Sequence, residues 1–153
     1  MTGSASLRIR VVLAGVAFAA TACAAGDTVQ VIGTDPMIVV HDFSSGMQMQ
    51  VEATLAYDPR SKCLRLDFRS GPSMLPVWPR GTRPLIHDGK RGVQAPTAGR
   101  IVEGDTIIAG GGSADWASNR PGGVKLPPDC LPAERDFSVF VINADDPITV
   151  DSR

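Results

Sequence analysis

Two histidines, each followed by an aspartate, are the first residues to weigh for chemistry: His41-Asp42 and His87-Asp88. A histidine beside a carboxylate is a candidate general base or metal ligand. Alternation along a strand works against that use. Neighbouring strand side chains point to opposite faces, so neither aspartate can orient its own histidine. His41 and His87 could still meet a carboxylate from another strand at a metal, which keeps a metal-dependent or hydrolytic enzyme as an alternative. The patterns G-x-S-x-G, S-x-x-K, H-E-x-x-H and the Walker loop are all absent. The expectation is therefore a protein that is not an enzyme, with no catalytic residue, metal ligand or cofactor assigned.

Three further features invite a binding role. Gly110-Gly111-Gly112 could offer backbone amides to an anion, but no helix follows, and a flexible turn after Thr106–Ala109 is expected. Trp78 sits between Val77 and prolines and reads as core, with surface contact as its other use. Trp116, beside Asn119 and Arg120 in a polar stretch, is the stronger contact candidate, and Arg120 goes with it.

The N-terminus carries the sharpest signal. Arg8 and Arg10 precede the apolar run Val11–Ala20, which is followed by Thr21-Ala22-Cys23. Positive charge, an apolar stretch too short to span a bilayer and small residues before a cut describe a secretory signal peptide over residues 1–22. Ala20-Thr21-Ala22-Cys23 resembles the lipobox of bacterial lipoproteins, with Ala20 where that family usually carries Leu, Val or Ile. The resemblance implies cleavage before Cys23, acylation of its thiol (palmitate among the chains) and residence on the extracytoplasmic face of the cell membrane. Ala20-Thr21-Ala22 also satisfies the A-x-A rule of ordinary secretion, so a soluble secreted structural or inhibitory protein is the other alternative.

With Cys23 acylated, Cys63 and Cys130 are the remaining thiols, an even number in a compartment where disulfides persist. They are expected to pair, which stabilises the domain by up to about 4 kcal/mol in the chain-entropy model.

The whole chain of 153 residues holds 15 basic and 16 acidic side chains. Loss of Arg8 and Arg10 with the leader makes the remainder mildly acidic, so there is no general attraction to nucleic acid or to anionic lipid. The charges are unevenly placed. Between residues 58 and 100 basic side chains outnumber acidic ones, and beyond residue 100 the balance reverses.

These residues must be positioned by short strands. After a tether over residues 23–28, a single domain over 29–153 is expected. Val29–Ile32 and Met37–Val40 flank the turn Gly33–Pro36. Gln48–Tyr57 alternates with period two, turns at Asp58–Ser61 and continues into Cys63–Phe68, which reads as a β-hairpin. Leu75–Pro79 carries two prolines and fits an edge or a corner. Pro84–His87 ends at Asp88-Gly89, a hairpin turn signal. Arg100–Glu103 and Thr106–Ala109 flank Gly104-Asp105, Ser113–Pro132 reads as a long loop, and Phe137–Ile142 is the last strong strand. Sixteen glycines and twelve prolines, without helical periodicity, argue for an all-β fold with little helix, a small antiparallel barrel or sandwich. Val77-Trp78-Pro79-Arg80-Gly81, with Gly104-Asp105 and Gly110-Gly111-Gly112, resembles small all-β domains of exported bacterial proteins, a likeness that implies architecture and no site. The expectation for function is an envelope lipoprotein acting as a binding or interaction module toward a protein, glycan or lipid.

Overall fold

The computed structural model describes residues 28–43, 46–114, 130 and 139–152. Cys23, Trp116 and Arg120 lie outside them. The domain is all-β. Its strands are β1 (Val29–Ile32), β2 (Ile38–His41), β3 (Met49–Asp58), β4 (Cys63–Phe68), β5 (Leu75–Pro79), β6 (Arg83–His87), β7 (Lys90–Ala95), β8 (Gly99–Val102), β9 (Thr106–Ala114), β10 (Val139–Ile142) and β11 (Thr149–Asp151). The larger sheet runs β1-β2-β5-β10-β9-β3-β4, with β11 beside β9, and the smaller is the meander β6-β7-β8.

The larger sheet is mixed, which corrects the antiparallel expectation. β5 lies parallel to both β2 and β10, and the other pairings are antiparallel. Parallel neighbours need long crossovers, which here are the β3-β4 hairpin between β2 and β5, and the smaller sheet followed by β9 between β5 and β10. β5 is consequently an interior strand, not the edge its prolines suggested. Its register with β10 covers Leu75, Pro76 and Val77, and that with β2 covers Val77, Trp78 and Pro79. Among the described residues only Val77 is shared, so each proline lies where β5 is registered with one neighbour and no proline has to serve both.

Burial follows from this placement. β2, β5 and β10 are buried along their full lengths, as expected for strands covered on both faces. One core lies between the sheets, joining Leu55, Leu66, Trp78, Ile107 and Phe140 to Val93 and Ile101 of the meander. A second core on the other face gathers Val39, Val77, Val139 and Val141 around Cys63 and Cys130.

The chain passes between the sheets at Gly104-Asp105. The buried Asp105 carboxylate accepts the Val102 N–H at 2.9 Å, while Gly104 N–H and Asp105 C=O bond Leu55 of β3 at 2.8 and 2.9 Å. β8 and β9 are thus a corner between two sheets. Gly110-Gly111-Gly112 corrects a further expectation, for it lies inside β9 and not in a flexible turn. A Cβ at these positions would meet, in order, the Asp146 carboxylate, the Val141 carbonyl with the Phe140 ring, and Met47. The glycines admit close neighbours to an ordinary strand.

Candidate functional site

His41 ends β2 and is 3% exposed. The Phe43 N–H points at its Nδ1 at 3.1 Å, which leaves Nε2–H to donate to the Ile142 carbonyl at 2.7 Å. Both nitrogens are committed to backbone, and the ring stacks on Phe43 at 4.6 Å between centroids. This is how a core histidine is satisfied. Its neighbour Asp42 faces the other way, accepting the Thr28 N–H at 2.5 Å and the Thr28 hydroxyl at 2.8 Å. Those two donors, the backbone one foremost, hold the Asp42 carboxyl below its usual value. The result is a pinned chain start. Thr28, Gln30, His41, Asp42 and Arg80 line one cleft.

His87 stands in the other sheet, half-buried. Arg100 Nη1 lies 2.8 Å from its Nε2, and Asp88 Oδ2 lies 3.2 Å from the same atom. Guanidinium only donates, so in this arrangement Nε2 accepts and has no proton for Asp88. The aspartate nonetheless approaches its own histidine, contrary to the alternation expected along a strand, because it lies past the end of β6 with a φ of 50°. His41 and His87 share no carboxylate. Among the described residues no three His, Cys, Asp or Glu side chains converge where a metal ion would be held.

Trp78 is fully buried in the core between the sheets, which removes it from surface contact. Its indole N–H and the hydroxyl of Thr82, itself 1% exposed, have no hydrogen-bond partner among the described residues.

The best-formed polar cluster joins residues that sequence reading did not connect. Asp35, in the β1-β2 turn, accepts the Tyr57 hydroxyl at 2.7 Å, Arg91 Nε at 3.2 Å and Arg91 Nη2 at 3.3 Å. The Arg91 guanidinium lies 5.3 Å from the centre of the Tyr57 ring and donates to the Gly89 carbonyl at 3.0 Å. Arg91 foremost, then Tyr57, lowers the Asp35 pKa; the bond to Asp35 in turn raises those of Tyr57 and Arg91. With every member engaged by the others, the cluster is a clamp between the two sheets. No spacing rule links residues 35, 57 and 91, and Arg91 sits in a strand, Lys90–Ala95, whose charged start and Gly92 conceal any alternation.

Cys63 and Cys130 are disulfide-bonded, with a Cα separation of 5.5 Å, and both are buried. Among the described residues no helix is long and apolar enough to cross a membrane. No family model matches the chain, and neither a curated protein nor a solved structure does.

Proposed function

We propose that the chain is an exported lipoprotein, cleaved before Cys23 and acylated there, whose domain over 29–153 works at the extracytoplasmic face of the cell membrane as a binding or interaction module and not as an enzyme. The observation that carries this reading is the division of labour among the three cysteines. With Cys23 in the lipobox-like Ala20–Cys23, the other two are left as a pair, and they lie 5.5 Å apart at Cα in a buried, disulfide-competent position. That arrangement suits an oxidising compartment. The tight hold on Thr28 by Asp42 supports it too, because the domain then begins five residues after the proposed anchor.

The same reading takes the larger sheet as a small barrel in the making. Support comes from two isolated bridges, Leu66↔Met74 and Met37↔Cys63, which bring β4 back to the starts of β5 and β2. Acyl chains contribute about 0.8 kcal/mol per buried methylene, so two or three hold such a domain at the bilayer without a spanning helix.

The test is the intact mass of the mature protein from membrane and soluble fractions, with thiol alkylation before and after reduction. A membrane species beginning at Cys23, carrying acyl mass and labelled at two thiols only after reduction, is the expected result. A soluble, unacylated species with a labelled Cys23 would overturn it.

A further inference from the structure

One side of the β6-β7-β8 meander carries a row of exposed cations beside the half-buried Leu85 and buried Val102. Its strands contain Arg83, Lys90, Arg91 and Arg100 and not one carboxylate. Arg91 is on the inner side of the register, opposite Ile86, and is taken by Asp35. The others belong to the outer side. Arg83, Gln94 and Arg100 form one cross-strand row, and Lys90 stands opposite His87 on the same face, since cross-strand partners share a side of the sheet. All four of Arg83, Lys90, Gln94 and Arg100 are exposed, whereas Val93 and Ile101 of the opposite face are fully buried. Among the described residues none of Arg83, Lys90 and Arg100 is ion-paired with a carboxylate. The nearby acids, Asp88 and Glu103, sit in or beside the turns.

Arg80, three residues before Arg83, lines the cleft that contains Thr28. Five residues extend from Thr28 back to Cys23, a reach of at most about 18 Å. We infer that the Arg83–Gln94–Arg100 row, with Arg80 at its end, docks on the phosphates of anionic phospholipids and sets which face of the domain meets the membrane. The inference deepens the lipid-anchor reading and rests on it for location. Its energetic basis is separate: each basic side chain held near an anionic surface strengthens attachment, an effect that salt screens.

Vesicle sedimentation tests it on the protein purified from cells expressing the full chain. Partition is measured into vesicles of phosphatidylcholine alone and of phosphatidylcholine with phosphatidylglycerol. The ratio of the two cancels whatever acyl chains contribute. At low salt it should be about tenfold in favour of the anionic vesicles, falling toward one at about 0.5 M salt. The double variant Arg83→Glu with Arg100→Glu should abolish the preference, and the milder Arg83→Gln with Arg100→Gln should reduce it. Arg69→Glu, at an exposed arginine just after β4 that pairs with Glu52, should leave it intact. A ratio near one at low salt, or one unchanged in both double variants, overturns the docking face even if the protein is acylated. A preserved, variant-sensitive ratio in protein whose mass shows no acyl chains sustains docking while removing the anchor.

Discussion

Arg91 reaches from the smaller sheet to Asp35 in the β1-β2 turn, meeting both carboxylate oxygens with Nε and Nη2 at 3.2 and 3.3 Å. Two segments far apart in the chain are thereby held side by side, and Tyr57 completes the contact from β3. The pH dependence of stability follows from the direction of each shift. Asp35 has a folded pKa below its unfolded value, so its contribution is present above about pH 4 and is lost as pH falls through the folded value. Tyr57 has a raised pKa, so its contribution is present below about pH 10 and is lost as pH rises through the folded value. Arg91→Met should lower the urea midpoint more at pH 7 than at pH 3. Equal losses at both would show that Asp35 is not the partner through which Arg91 stabilises the fold.

Cys63 and Cys130 tie β4 to the second core. Replacing both with serine should cost about 2–5 kcal/mol, read from denaturant unfolding. Dithiothreitol should lower the wild-type midpoint to a similar extent and leave the variant unmoved.

Gly92 faces backbone on every near side: a Cβ there would strike the Ile101 carbonyl and the Val102 Cα. Backbone gives way poorly, so Gly92→Ala should destabilise by about 1–3 kcal/mol through overpacking. Gly71→Ala is the contrast. It meets nothing within contact distance and carries only the penalty of its φ of 113°. A calorimetric melting point for each separates steric from conformational cost.

Thr82 buries a hydroxyl that has no partner among the described residues. Replacing such a group with an apolar one of the same shape is neutral or stabilising, so Thr82→Val should hold or raise the melting temperature. A loss above about 1 kcal/mol would reveal a hydrogen bond to that hydroxyl. Trp78→Ala, by contrast, should cost about 3–5 kcal/mol.

What the sequence disclosed and what it hid divide along physical lines. The β3-β4 hairpin was readable because Ala53 and Leu55 alternate with half-buried or exposed neighbours and Asp58 caps the turn, accepting the Arg60 N–H at 3.0 Å and the Ser61 hydroxyl at 2.9 Å. β5 was misread because proline depletion in central strands is a rule about ladder donors, and the offset of its two partners relaxes that rule. The glycine triplet was misread because close approach by Phe140, Met47 and Asp146 is a tertiary fact with no local signature. β11 (Thr149–Asp151) is too short to announce itself. Of the candidate sites, the cysteine pair was legible from counting alone, whereas the Asp35–Tyr57–Arg91 clamp depends on one turn and on two strands from different sheets being brought together.

β10 has a consequence for how the molecule comes into being. It stands between β5 and β9, so until Ile142 has been synthesised the β1-β2-β5 and β9-β3-β4 parts of the larger sheet have no strand to join them. The meander can form early from neighbouring segments, but the larger sheet waits for almost the last strand. Pairings of such long sequence separation are slow to form. Completion of the larger sheet is therefore expected among the last steps of folding, after the hairpins and the meander.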